Sequence, residues 1–139
     1  MFTATMIFQL IEEGKLNLDT ILAEYFPLLL NSETITIGQL LRHESGLFDY
    51  TSDPKYASYM FTETGRSSLL SLLQMGTPAF EPGIRADYCN TNFLLLSYII
   101  EDLDERTYAE SLKARITDTI GTHSIVFGAA ANTTNNDAF

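Results

Sequence analysis

The stretch Tyr88-Cys-Asn-Thr-Asn-Phe-Leu-Leu-Leu-Ser-Tyr-Ile-Ile-Glu-Asp-Leu103 contains the longest apolar run of the chain, from Phe93 to Ile100. Ser97 interrupts this run, which is also far shorter than the roughly 20 apolar residues that a membrane-spanning helix needs. Its length and composition predict a buried helix over Thr91–Leu103. Tyr88-Cys-Asn90 is then predicted to lie in the loop that leads into this helix.

Further helix signals lie on both sides of this stretch. Two capping boxes, Thr36 with Gln39 and Thr107 with Glu110, each predict the start of a helix. The spacing of apolar residues predicts a first helix over Phe2–Glu13, and Gly14 is the residue expected to end it.

Two more helices are predicted, over Thr20–Phe26 with Asp19 as its cap, and from Ser67 or Ser68 to Met75. We find no convincing set of strands. The expected fold class is therefore mainly α, with residues 1–139 forming a single helical segment.

The charge balance and the cysteine and histidine content exclude several kinds of site. The chain has 18 acidic against 8 basic residues, a net charge of −10, so a nucleic-acid backbone would repel its surface. No cluster of basic residues suggests attachment to anionic lipid. Cys89, His43 and His123 do not have the spacing of a metal site, so no metal is expected.

Five segments occur in the following order: Phe2-Thr-Ala, Gly14-Lys-Leu-Asn-Leu-Asp19, Ile35-Thr-Ile-Gly-Gln-Leu-Leu-Arg-His-Glu-Ser-Gly-Leu47, Phe80-Glu-Pro-Gly83 and Tyr88-Cys-Asn90 with the apolar residues after it. Together and in register, they resemble the serine β-lactamase and penicillin-binding-protein-like family, which includes class C β-lactamases, D-alanyl-D-alanine carboxypeptidases and esterases. The resemblance implies the helical lobe of the β-lactamase/transpeptidase-like fold, without its antiparallel sheet.

The resemblance also implies which catalytic motifs to expect. The family's Ser-x-x-Lys motif, which opens the first helix, would end just before residue 1. Its Lys-Thr-Gly or His-x-Gly strand would follow residue 139. We therefore expect an internal fragment of a serine hydrolase that is inactive alone, with no cofactor and with a small-molecule or peptidoglycan-like substrate in the parent enzyme. The family is typically secreted, periplasmic or membrane-anchored in bacteria.

Tyr88 and Asn90 are the catalytic residues that the resemblance assigns to this chain. Tyr88 would share in proton transfer with the serine, a task for which a phenol needs cationic neighbours. Asn90 would bridge the substrate and the lysine of the first motif, because an amide both donates and accepts hydrogen bonds. Without the resemblance, the residues alone favour an aromatic residue at the edge of the core for Tyr88, with its hydroxyl in water, and a plain helix cap for Asn90.

Other hypotheses remain open at this point. A helical binding module could use the aromatic residues Tyr50, Tyr56, Tyr59 and Phe61. Residual esterase activity could use Ser45. Phe2 and Met6, which the missing sheet would leave exposed, predict self-association. We interpret Cys89 as a packing residue, and the resemblance makes His43 a structural histidine at a helix end.

Overall fold

The computed structural model describes residues 1–59, 64–122 and 125. Its α-helices are α1 (Phe2–Glu12), α2 (Ile37–Leu41), α3 (Tyr56–Tyr59), α4 (Arg66–Met75), α5 (Asn90–Asp104) and α6 (Tyr108–Leu112). Two 3₁₀ helices (Leu22–Glu24 and Tyr50–Ser52) and a π-helix (Lys113–Thr117) complete the elements. Within these residues the extended pairing is limited to a bridge between Ile21 and Thr36. The expected fold class, mainly α, is confirmed.

Helix α5 forms the centre of the structure and packs against α1, α2 and α6. Its apolar run supplies fully buried side chains to the core, and so does the inner face of α1. They are Leu95, Leu96, Ile99 and Ile100 from α5, and Met6, Ile7 and Leu10 from α1. The prediction of a buried helix is confirmed. No helix of the described segments has the combined length and apolar character that crossing a membrane requires.

The end of α1 shows why glycine is needed at residue 14. Gly14 has a φ of +71°, in the left-handed region that glycine adopts without steric cost. Its N–H bonds the carbonyl of Ile11 at 3.0 Å, and the N–H of Lys15 bonds that of Leu10 at 3.0 Å. This pair of bonds is a Schellman motif, and it satisfies two carbonyls that the helix leaves free.

Both capping boxes are confirmed. The N–H of Gln39 bonds Thr36 Oγ1 at 3.2 Å, and Gln39 Oε1 accepts from the N–H of Thr36 at 2.9 Å. Thr107 and Glu110 exchange the same two bonds at the start of α6, at 3.3 and 2.9 Å. Each box satisfies two backbone donors that would otherwise lack partners, so both helices begin where the sequence predicts.

The predicted helix over Thr20–Phe26 is wrong. Only Leu22–Glu24 is helical, as a 3₁₀ turn, and Asp19 does not cap it. The reason is long-range backbone pairing: the N–H of Leu22 bonds the carbonyl of Ile35 at 2.8 Å, and Thr20 accepts from Ile37 at 3.0 Å. Backbone groups that pair with residues 35–37 are not available for an α-helix.

The structure also corrects the face predicted for self-association. Met6 is fully buried in the core of this chain, and Phe2 is half-buried against it. The large apolar side chain that α1 exposes is instead that of Phe8, which is 48% exposed. Met1, just before the helix, is exposed as well. Phe2 and Met6 therefore do not form an exposed apolar face, because α5 and its neighbours cover the helix side that we expected the missing sheet to cover.

Candidate functional site

The candidate site lies where the loop after α2 contacts the start of α5. His43 is the second residue after α2 and has the left-handed conformation, with a φ of 58°. Its N–H bonds the carbonyl of Leu40 at 3.2 Å, and the N–H of Glu44 bonds that of Gln39 at 2.8 Å. This second Schellman motif reverses the chain, so that residues 44–52 run along the beginning of α5.

The His43 ring joins these two segments. Nδ1 accepts a hydrogen bond from the backbone N–H of Cys89 at 3.2 Å, which places the ring proton on Nε2. The ring packs on Tyr88 and Phe93, with centroid distances of 4.6 and 5.2 Å. His43 thus has a structural position at a helix end, but its ring accepts from the next segment and does not donate to the helix carbonyls.

Ser45 is unsuited to be a nucleophile. Its side chain is 1% exposed, and Oγ donates to Asn92 Oδ1 at 2.5 Å while accepting from the N–H of Leu47 at 3.2 Å. Asn92 is itself fully buried, and its Nδ2 lies 3.3 Å from His43 Nδ1. The hydroxyl is therefore part of a buried hydrogen-bonded chain, without access for a substrate.

Asp49 is the centre of the polar contacts at the start of α5. One carboxylate oxygen accepts from both the backbone N–H and Nδ2 of Asn90, at 3.1 and 3.0 Å. The other accepts from the backbone N–H and the hydroxyl of Thr51, at 3.0 and 2.9 Å. Burial opposes ionisation, but these hydrogen bonds outweigh it and lower the pKa of the Asp49 carboxyl below its ordinary value.

Tyr88 projects from this region into solvent. Its side chain is 71% exposed, and its hydroxyl lies 3.3 Å from Asn90 Oδ1, to which it donates. Asn90 is not the helix cap: Cys89 occupies that position, and Asn90 is the first helical residue. The two residues predicted from the sequence are therefore brought together, and the alternative of a plain helix cap is wrong for Asn90.

An open cleft of about 360 Å³ lies beside Tyr88. The described side chains that line it include two carboxylates, three aromatic rings, one thiol and two aliphatic hydroxyls, but no cation. They are Asp49 and Asp87, then Phe48, Phe80 and Tyr88, then Cys89, and finally Ser52 and Thr77. The cations that a tyrosine needs for proton transfer are thus not among the described residues of this cleft.

Cys89 is buried beneath the cleft. Its thiol contacts the carbonyl of Leu47 at 3.5 Å. Burial raises the pKa of this thiol, and the charge of Asp49 acts in the same direction. A thiol that stays protonated is a poor nucleophile, which agrees with its interpretation as a packing residue.

The letters Ser-x-x-Lys do occur once, at Ser52-Asp-Pro-Lys55, but not as a helix start. Ser52 ends a 3₁₀ helix, and Asp53 is extended, with a φ of −61° and a ψ of 128°. Asp53 Oδ1 accepts from the N–H of Lys55 at 3.0 Å. Ser52 and Lys55 therefore do not lie one turn apart on a helix, as the family motif would require.

The aromatic residues proposed for a binding module pack on one another. Tyr56 contacts Tyr50 and Tyr59 edge to face, with centroid distances of 5.7 and 5.6 Å. All three are half-buried, and the hydroxyl of Tyr59 bonds the carbonyl of Tyr50 at 3.2 Å. Much of their surface is therefore used within the chain. Phe61 and His123 lie outside the described residues.

Sequence reasoning missed Asp49, Thr51 and Asn92. Asp49 and Thr51 had a local signal, because an Asp with a Thr two residues later commonly forms a side-chain-stabilised turn. Their link to Asn90 joins residues about 40 positions apart, and no periodicity or spacing reports such a pair. Asn92 directly precedes the apolar run Phe93–Ile100, and from the sequence it resembles a solvent-facing residue until its buried partners are known.

Comparison with known proteins agrees with the fold and with the family resemblance. The sequence profile of the Beta-lactamase family matches residues 1–139. Penicillin-binding protein 4 of Amycolatopsis lactamdurans is 30% identical over 132 residues, covering 88% of this chain and 32% of that protein. Teichoic acid D-alanine hydrolase of Staphylococcus aureus is 27% identical over 116 residues, covering 84% of this chain and 28% of that protein.

A solved structure shows the same arrangement of helices. The D-stereospecific amidohydrolase from Streptomyces sp. superposes with a TM-score of 0.78 at 30% identity, over 86% of this chain and 39% of that chain. The chain spans about a third of the length of these relatives. The profile match over all 139 residues confirms the resemblance: the chain belongs to the Beta-lactamase family, a family of penicillin-binding-protein-like hydrolases.

Proposed function

We propose that this chain is the helical side of a serine hydrolase site, to which it contributes Tyr88 and Asn90. The observation that carries the proposal is the pairing of the exposed Tyr88 hydroxyl with Asn90 Oδ1 beside an open cleft. A hydroxyl that is both accessible and held by a neighbour is suited to proton transfer at a reacting serine. The nucleophilic serine, its lysine and the sheet belong to segments outside residues 1–139.

The proposed reaction is acyl transfer to that serine. The serine oxygen bonds to the substrate carbonyl carbon, its proton passes through the site groups to the leaving nitrogen or oxygen, and the bond to that atom breaks. Water then releases the acyl group from the serine. Because this chain supplies no accessible serine paired with a base among its described residues, we expect it to be inactive alone.

The acyl group that we propose is that of a D-amino acid, in an amide, an ester or a β-lactam. The support is the set of relatives, whose names refer to penicillin, to D-alanine on teichoic acid and to D-stereospecific amide hydrolysis. The family fold carries all of these activities, so the choice among them depends on residues around the completed cleft.

The first test is the coding sequence upstream of the Met1 codon and downstream of the Phe139 codon. We expect a Ser-x-x-Lys immediately upstream and a Lys-Thr-Gly or His-x-Gly downstream. In parallel, the purified 139-residue chain should not hydrolyse p-nitrophenyl acetate or a chromogenic cephalosporin above the buffer rate. Turnover by the chain alone that survives Tyr88→Phe would contradict the proposal.

The second test is a chimera in which residues 1–139 replace the matching third of Penicillin-binding protein 4 of Amycolatopsis lactamdurans. We call this protein the reconstituted domain. It should be acylated by a fluorescent penicillin, and Tyr88→Phe should slow acylation about a hundredfold, the lower range for loss of an acid–base group. Phe8→Tyr, on the exposed face of α1, is the matched control and should acylate normally. A folded reconstituted domain without acylation would overturn the proposal.

A further inference from the structure

The hydrogen-bond donors of the Asn90 side chain are already used within the chain. Nδ2 carries two hydrogens, and it donates to Asp49 Oδ2 at 3.0 Å and to Thr51 Oγ1 at 3.1 Å. The Thr51 hydroxyl gives its own hydrogen to the other oxygen of Asp49, at 2.9 Å, so its lone pair is available to Asn90. Each donor in this arrangement therefore has one acceptor.

The orientation of the Asn90 amide follows from the charge of its partner. A carboxylate only accepts hydrogen bonds, so an amide turned by 180° would place Oδ1 against an oxygen of Asp49. That arrangement would lose two hydrogen bonds and bring acceptors together. The opposite end of the amide, Oδ1, is thus directed to Tyr88, whose hydroxyl is 3.3 Å away.

We infer that Asp49 is a positioning residue that fixes the Asn90 side chain with its oxygen toward the Tyr88 hydroxyl, beside the cleft that Tyr88 lines, so that Asn90 recognises a hydrogen-bond donor on the substrate. This inference rests on the proposed function and narrows its substrate class. The acyl groups that fit carry an ammonium or amide N–H next to the scissile carbonyl. The Asp49 and Asp87 carboxylates at the cleft favour the ammonium form.

The orientation is tested on the 139-residue chain itself by NMR of the Asn90 side-chain amide. In the wild-type chain its two protons should exchange with water at least about tenfold more slowly than in Asp49→Ala, since a bond to a charged acceptor is lost in the variant. Asp87→Ala is the matched control: it also removes a cleft carboxylate, but its side chain bonds Arg85 and not Asn90. Its Asn90 exchange should equal that of the wild type.

Thr51→Val keeps the orientation test decisive if Asp49→Ala does not fold. This variant retains the carboxylate and the side-chain shape, and removes one of the two acceptors of Nδ2. We expect one Asn90 proton to exchange faster and the other to remain slow. Rapid exchange of both protons in the wild-type chain, or exchange unchanged in both variants, would overturn the role of Asp49.

The substrate preference is tested on the reconstituted domain with a matched pair of anilides. D-Alanyl p-nitroanilide carries the amine, and propionyl p-nitroanilide lacks it. We expect kcat/KM to favour the D-alanyl compound at least about tenfold, the scale of one hydrogen bond to a charged group. Asn90→Leu and Asp49→Ala should both reduce this ratio, whereas a variant that merely destabilises the fold would lower both rates together.

The two tests separate failure of the inference from failure of the proposed function. A reconstituted domain that acylates but shows equal kcat/KM for both anilides would overturn the donor-recognition role and leave the hydrolase function intact. Absence of acylation in the folded protein would overturn the proposed function, while the NMR result would still decide the orientation of Asn90.

Discussion

The two ends of α5 use charged residues in opposite ways. At its C-terminal end the helix carries Asp102 and Asp104, which are unfavourable beside free carbonyls and need cations. Arg66 bonds both oxygens of Asp102 at 2.6 Å, and Arg115 bonds Asp104 at 2.7 Å and Glu13 at 2.6 Å. At the N-terminal end a single carboxylate, that of Asp49, accepts from the helix start without a cation among its hydrogen-bond partners.

Under the proposed function, this difference separates residues that stabilise the fold from residues that carry the chemistry along one helix. Arg115 ties α1 and α5 to the π-helix, and its charge is fully used by Glu13 and Asp104. The N-terminal end instead holds Asn90 between Asp49 and Tyr88, and the side chains of Asp49 and Tyr88 line an open cleft. Substitutions at the C-terminal end should therefore affect unfolding, and substitutions of the N-terminal side chains should affect function more than stability. The exception is the backbone at Gly46, which lines the cleft and where a substitution should affect stability strongly.

The largest effect is expected from Gly46→Ala, in the loop that supports the N-terminal end. Gly46 has a φ of +67°, and an added Cβ would overlap the carbonyl of Phe80. We expect a loss of about 4 kcal/mol in the free energy of unfolding, measured with urea. Gly14→Ala is the control, since it has the same backbone geometry with open space around it, and should cost about 1 kcal/mol. Equal losses would show that Phe80 can move.

Arg115→Ala should be the most damaging side-chain truncation at the C-terminal end. The Asp104 carboxylate is only 3% exposed and would lose its cation, so we expect a loss of about 3 kcal/mol. Lys113→Ala removes a cation from the same π-helix, but one in an exposed pair with Asp118. Its cost should stay below about 0.5 kcal/mol. If both variants lost the same free energy of unfolding, the ion pairs of Arg115 would not be the interactions that stabilise the C-terminal end of α5.

The contribution of Arg115 should also depend on pH. The hydrogen bond from Arg115 and, second, the one from Lys15 lower the pKa of Glu13 to about 2, and the hydrogen bond from Arg115 to Asp104 lowers the pKa of that carboxyl as well. Folded-state pKa values below those of the unfolded chain give stability that is present above about pH 4.5 and is lost as the pH falls toward 2.

As the pH falls from about 4.5 toward 2, the difference in unfolding free energy between wild type and Arg115→Ala should decrease by about 1 kcal/mol. The change is small because solvent screens the charge of Glu13. Urea titrations at pH 6 and pH 2.5 measure it. A constant gap would mean that Arg115 acts through packing alone.

The smallest effect on stability is expected from Tyr88→Phe. The side chain is exposed and its hydroxyl makes one long hydrogen bond, so the cost should be below about 0.5 kcal/mol. The same variant should cause the largest loss of acylation in the reconstituted domain. A large loss of stability would show that the Tyr88 hydroxyl supports the fold and would weaken its assignment to the chemistry.

The sequence predicted local features well and long-range ones poorly. The capping boxes at Thr36 and Thr107 and the end of α1 at Gly14 depend on residues within one or two turns, so they were read correctly. The 3₁₀ turn at Leu22–Glu24 depends on backbone bonds to residues 32–37, which local propensity does not report. The same limit explains why the resemblance assigned a role to Asn90, whereas no sequence signal linked it to its hydrogen-bond partner Asp49.

Cys89 gives the molecule an internal reporter. It is the single thiol of the chain, and it lies in the contact between the loop after α2 and the start of α5. Alkylation of this thiol requires that contact to open. Labelling kinetics would therefore distinguish brief local opening beside the cleft from whole-chain unfolding, without any added probe. Asp49→Ala should increase the rate of Cys89 labelling in native buffer by local opening. Arg115→Ala should increase that rate only by making global unfolding more frequent.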